Sequence, residues 1–146
     1  VDLIRNDLSQ VASSVSVTRF RYIDEIRTKA KTLLQVSSEI VGDLEGPYLS
    51  RLGDILVPLL PAGSICGAPK PKTLEIIKSV EEENRGYYTG VFGVFDGNTL
   101  DSGVMIRFIE KENGKHFYRS GGGITTQSVI TAEYQEVIDK VYVPIT

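Results

Sequence analysis

One cysteine, Cys66, one methionine, Met105, and one histidine, His116, are all that this 146-residue chain holds of those types. A lone cysteine excludes an intramolecular disulfide, and the lack of a cysteine cluster removes the usual pattern of a zinc site. Cys66 also has no histidine near it in sequence, which leaves a nucleophilic thiol without its usual partner. His116 follows Gly114-Lys115 at a hairpin shoulder and is expected to face solvent. Basic stripes interleaved with aromatics are missing too. With a net charge of −3 and a pI near 5.2, the chain lacks the electrostatic footprint of a nucleic-acid binder. No apolar run approaches the length of a bilayer span and no signal-peptide pattern opens the chain, so neither nucleic acid nor membrane is an expected partner. The expected location is the cytoplasm. Internal repeats, low-complexity tracts, a Walker A loop and a G-x-G-x-x-G strand–turn–helix are absent as well, which leaves nucleotide binding without its motifs.

What is present is 41% hydrophobic and 24% charged, the composition of one globular domain with a core. Asn6 or Asp7 is placed to cap a short helix reaching about Val11. SSVSVTRFRYI then alternates as a strand does, and a second extended segment covers Thr32 to Val41. Gly46-Pro47 breaks the chain before Leu49, Leu52, Leu56 and Leu59 recur at helical spacing, and Pro61 stops them. After the small-residue loop PAGSICGAPK, Pro71 suits the first turn of a helix whose stripe is Leu74, Ile77 and Val80, ended by Arg85-Gly86. From Tyr87 the period becomes two. Tyr88 to Phe95, Leu100 to Ile109 and Lys115 to Arg119 read as an antiparallel meander, turned at Asp96-Gly97-Asn98 and Glu112-Asn113-Gly114. A last helix, opening at Thr131 or near Ser128, runs to Tyr142 before Pro144. The expected class is α+β, mainly antiparallel sheet with packed helices and no linker dividing it.

Chemistry-bearing residues concentrate toward the end of the chain. On a helix, Glu133, Glu136 and Lys140 fall at i, i+3 and i+7 and share a face, with Tyr134, Val137, Ile138 and Val141 opposite to dock it. Two carboxylates beside an ammonium suit a hard divalent cation with an anionic ligand, and equally suit a solvated face. Gly121-Gly122-Gly123 leaves backbone N–H groups open to a carboxylate or phosphate, or supplies positive φ for a turn. Gly63 to Lys70 is a second permissive loop leading into a helix. Arg107, inside GVMIRFI, is either a bidentate carboxylate ligand or an edge residue reaching water, and Tyr88, in a strand beside Gly90, offers a hydroxyl or packs.

In order, VDLIRNDL, GSICGAPK, RGYYTGVFG, DSGVMIR and SGGGIT followed by E-x-x-E-x-x-x-K resemble the C-terminal part of the chorismate-utilising enzymes, over Val1 to about Lys140. The resemblance implies that residues 1–146 are a C-terminal fragment of a chorismate-binding catalytic domain with an α/β sandwich fold. It implies Mg²⁺ on Glu136, supported by Glu133, and substrate contacts from Tyr88, Arg107, Gly121, Gly122, Gly123, Lys140 and Ser64. Chorismate and a glutamine amidotransferase subunit or domain are the implied partners. The Ser64-Ile65 form of the loop looks most like the branch that aminates chorismate to 4-amino-4-deoxychorismate, on the route to p-aminobenzoate and folate. The anthranilate-forming branch is the alternative, and an inactive folded fragment or interaction module is the alternative of another class. One departure stands out: Gln35 occupies the usual histidine position, and a glutamine hydrogen-bonds but cannot act as a general base. The resemblance also places an active-site lysine in a PIKGT motif, with further metal-binding glutamates, upstream of Val1, so the main catalytic groups are expected outside this chain.

Overall fold

The structure, a computed structural model, describes residues 1–27 and 32–141. They are helices and antiparallel strand pairs, the α+β class expected, in two compact units, Val1–Val80 and Glu81–Thr146. Tyr142, the expected end of the last helix, lies outside the described residues.

In the first unit, α1 (Asp2–Leu8) begins with Asp2 in its first turn, where a carboxylate complements the helix dipole. Asp7 therefore sits inside the helix and is no cap; its carboxylate is committed elsewhere. The strands β1 (Ser14–Arg27) and β2 (Thr32–Asp43) form a long antiparallel hairpin in which Ser14 faces Asp43 and Arg27 faces Thr32. Its register slips between Val17 and Tyr22, where Arg21 takes φ +49, as in a bulged strand. A 3-10 turn at Leu49–Arg51 leads into α2 (Leu52–Leu59), which ends where Leu60 turns extended ahead of Pro61. The loop expected next contains a four-residue helix, α3 (Gly63–Cys66), and then α4 (Lys70–Val80) carries Pro71 in its first turn, as anticipated. α4 stops at Val80, short of Arg85-Gly86.

Leu49–Cys66 corrects one expectation, because these 18 residues reach a mean hydropathy of 1.3 and could by composition cross a bilayer. The backbone breaks the stretch at Leu60, Pro61 and Ala62, so it is no continuous helix.

The second unit departs from the meander. β3 (Val91–Phe95) pairs with β4 (Leu100–Val104), and β5 (Phe108–Glu112) pairs with β6 (Lys115–Arg119), as separate two-stranded sheets. Met105 still exchanges hydrogen bonds with Thr89 and Gly90, at 2.8 and 2.9 Å, and then Arg107 at φ +54 turns the chain. A non-glycine residue in the left-handed region ends extended structure, which is why Leu100 to Ile109 is two strands. Arg107 therefore lies in a bend, and Tyr88 in the turn before β3. The β5–β6 connection is a two-residue turn with both Asn113 and Gly114 at positive φ, as its sequence leads one to expect. In the β3–β4 loop, Asp96 accepts from the Thr99 and Asn98 amides at 2.6 and 2.8 Å, and these bonds hold its carboxyl below the usual range. α5 (Ile130–Asp139) closes the described chain.

The core expected from composition is small. Among the described residues, Ile55 and Cys66 are the buried apolar side chains, while Phe20, Leu34 and Phe92 are each about two-thirds exposed. α1 packs on the β1–β2 hairpin near Gly42, but a two-stranded sheet buries little apolar surface by itself, so positions such as Phe20 and Phe92 stay open.

Candidate functional site

In the second unit, the segment after β6 meets the turn before β3 and the helix α5. The turn is pinned at both sides of Tyr88: its amide donates to Arg85 O at 2.9 Å, and the buried Thr89, at φ +65, donates to Met105 O. So held, the Tyr88 hydroxyl rests directly on Gly121, where any Cβ would overlap it. Gly122 faces α5, with Val137 Cγ2 3.5 Å and Glu133 Oε2 3.8 Å from where its Cβ would stand. None of Gly121, Gly122 and Gly123 has positive φ, so at Gly121 the glycine serves close approach and not backbone handedness.

The docking face of α5 differs in part from the one expected: Val137 docks against Gly122 and Glu136 is exposed, as anticipated, but Glu133 and Lys140 turn inward and Tyr134, Ile138 and Val141 outward. Glu133, Val137 and Lys140 are half-buried, while Tyr134 is 67% and Ile138 45% exposed. What α5 packs against here is a polar glycine turn and the end of β6, where the Tyr118 hydroxyl donates to Lys140 O at 3.2 Å. That surface accepts a carboxylate and an aliphatic lysine stem better than a phenol ring. Ser128 is a contributor that sequence reading reached only as a helix start. It accepts from the Thr125 amide at 2.9 Å and donates to Glu133 Oε1 at 2.5 Å, which fixes that carboxylate beside the glycine turn. Glu136 is exposed and ion-pairs with Lys140 one turn on.

Beside Tyr88 lies a cavity of about 290 Å³ whose walls include Glu81, Glu83, Arg85, Arg119 and Ser120. Arg119 is committed to Glu110 at 2.7 Å, and that bond raises its pKa further. Arg85 donates to both Glu81 oxygens, at 2.7 and 2.5 Å, which holds the Glu81 carboxyl below its ordinary 4.5. Because this folded-state pKa is depressed, the pairing contributes in full above pH 4.5 and is lost as pH falls through the lower folded value. An NMR titration is expected to find the Glu81 midpoint below that of the unfolded chain, and Arg85→Met should return it.

Tyr88, Gly121, Gly122 and Glu133 thus come together, and Glu136 with Lys140 lies next along α5. Arg107 is exposed on its bend. Ser64 and Gln35 belong to the first unit. Ser64 is the exposed second residue of α3; Gln35 is exposed on β2 opposite Asp24 and donates to Ser37 Oγ at 3.3 Å. His116 is exposed on β6, as expected, and Cys66 is buried in α3. No three His, Cys, Asp or Glu side chains cluster among the described residues. A Mg²⁺ site would therefore rest on Glu133 and Glu136, one turn apart, and that donor set fits an ion that commonly takes one or two protein carboxylates and completes its shell with water and ligand oxygens.

The order of motifs around this glycine turn is that of a known family. The whole chain, residues 1–146, matches the chorismate binding enzymes and belongs to that family. An uncharacterized PabA-like protein of Pasteurella multocida is 59% identical over 99% of this chain and 45% of its own length. Aminodeoxychorismate synthase component 1 of Bacillus subtilis is 38% identical over 97% of this chain and 30% of its own. Anthranilate synthase component 1 of Arthrobacter globiformis is 36% identical over 99% of this chain and 27% of its own. The chain spans less than half the length of each of these relatives.

Proposed function

We propose that the polypeptide containing this chain aminates chorismate to 4-amino-4-deoxychorismate in the cytoplasm, using Mg²⁺ and ammonia from a glutamine amidotransferase subunit or domain. The observation that carries this reading is the seating of the Tyr88 hydroxyl on Gly121, next to Gly122 and the Ser128-fixed Glu133. A phenol, a glycine backbone without side chains and a carboxylate gathered at one turn suit a dianion bound together with a metal ion. Chorismate carries two carboxylates. The amides of Gly121 to Gly123, the Tyr88 hydroxyl, the Arg107 fork and the Lys140 ammonium would bind and orient them. Glu136 and Glu133 would hold Mg²⁺, which when bound supplies charge compensation to a substrate carboxylate. Net, a ring hydroxyl leaves as water and the amino group takes its carbon.

Amination at C4 is preferred to anthranilate formation for two reasons. The loop carries Ser64-Ile65, the form resembling the 4-aminating branch. The exposed Gln35 amide, donating to Ser37 Oγ, also has no basicity with which to remove a proton during pyruvate elimination. Likeness to the Arthrobacter anthranilate synthase keeps that reaction as the second reading. The test is a product-resolved assay on the complete polypeptide with chorismate, Mg²⁺ and ammonium. Aminodeoxychorismate is the expected product; anthranilate would install the second reading, and no turnover would favour an interaction module. The 146-residue chain alone, with the PIKGT lysine and further glutamates expected outside it, should give negligible turnover in the same assay. Measurable amination by it would refute that placement of the catalytic groups.

A further inference from the structure

Thr89, in the second unit, is buried at 8% exposure and takes φ +65. A β-branched residue suits that left-handed region badly, because its side chain crowds the backbone there, whereas glycine enters it freely. Such a conformation persists only where its surroundings over-determine it. Two sets of bonds do so here. On one side the Thr89 amide donates to Met105 O at 2.8 Å and the Met105 amide donates to Gly90 O at 2.9 Å, which staples the strained residue to the end of β4. On the other side Arg85 Nη1 donates to the Thr89 hydroxyl at 3.3 Å. The same arginine stands with its Cζ 5.7 Å from the centre of the Tyr88 ring, and its carbonyl accepts from the Tyr88 amide at 2.9 Å. Glu81 holds that guanidinium in place through two bonds, at 2.7 and 2.5 Å. A glycine at position 89 could follow the same backbone path without strain. What threonine adds, against its own backbone preference, is the hydroxyl that accepts from Arg85, and the residue this latch closes on is Tyr88.

We infer that Thr89 is a positioning residue for the substrate: its hydroxyl, held by Arg85, and its strained backbone, held by Met105, fix the turn so that the Tyr88 hydroxyl is presented to chorismate at Gly121. The inference rests on the reading of Tyr88 as a substrate contact. Two variants of the complete polypeptide test it. Thr89→Gly removes the hydroxyl and leaves a residue at ease with the observed φ, so the chain still folds; Thr89→Ser keeps the hydroxyl. The first is expected to raise KM for chorismate at least fivefold with kcat within threefold, and to speed hydrogen exchange at the residue 89 amide. The second should restore most of both. Placed on Tyr88→Phe, the glycine substitution should raise KM less than twofold further, because the group it positions is already gone. An unchanged KM in Thr89→Gly, equal KM in the glycine and serine variants, or an undiminished fivefold rise on Tyr88→Phe would overturn the inference. Tyr88→Phe alone separates the two ideas. If it leaves KM unmoved, the Tyr88 reading fails and the inference with it; if it raises KM while Thr89→Gly does not, the positioning role alone fails.

Discussion

Glu136→Ala in the complete polypeptide is expected to lower Mg²⁺-dependent turnover of chorismate by about 100-fold or more, while leaving the fold in place. The two halves of that expectation have separate grounds. Glu136 is exposed, and its partner in the structure is Lys140 four residues on, an arrangement that contributes only about 0.3–0.5 kcal/mol in helices. Alanine is also the strongest helix former, so thermal unfolding should shift very little. A catalytic metal, by contrast, supplies several kcal/mol of charge stabilisation, and removing a carboxylate ligand forfeits much of it. Asp139→Ala, which removes the 2.8 Å bond from Gln135 on the same helix, is the control for a general effect of helix charge and should leave turnover unchanged. Unchanged turnover in Glu136→Ala at limiting Mg²⁺ would sink the metal assignment.

Gly121→Ala should raise KM for chorismate by about tenfold or more, a displacement of roughly 1.4 kcal/mol. The added methyl would occupy the place of the Tyr88 hydroxyl, and Tyr88 has little freedom to retreat, because its turn is hydrogen-bonded through both its own amide and that of Thr89. Tyr88→Phe removes the overlapping oxygen and leaves ring Cζ 3.2 Å from the new methyl, a tight but yielding contact. The double variant Gly121→Ala/Tyr88→Phe is therefore expected to unfold at a higher temperature than Gly121→Ala alone, without regaining the KM of the parent. Independent, additive effects of the two substitutions on stability would contradict the contact.

Much of the fold was legible because its periods are strong. The alternation of SSVSVTRFRYI and the apolar stripe of Leu74, Ile77 and Val80 each became the expected element, and Asn113-Gly114 became the expected turn. Positions decided by distant partners were not legible. Asp7 has the composition of a cap, but its acceptors are used by Gly63, 56 residues on, and by Lys70. Arg107 leaves strand geometry through a positive φ that its residue type does not announce. For α5, hydrophobicity points to Tyr134, Val137, Ile138 and Val141 as the docking face; Val137 does meet the glycine turn, but Ser128 seats Glu133 there as well, Lys140 is half-buried beside Tyr118, and the other three are exposed. The glycines themselves were readable as a place of close approach. The group that approaches, the Tyr88 hydroxyl, comes from a segment some thirty residues earlier and emerges only in the fold.

The central claim is amination of chorismate at C4. Isotope-labelled ammonium, chorismate and Mg²⁺ should be supplied to the complete polypeptide, and the labelled carbon–nitrogen bond located by NMR. Label is expected on C4 of a product that keeps its enolpyruvyl group. Label on C2, with pyruvate released, or conversion of chorismate without incorporation of nitrogen, would contradict it.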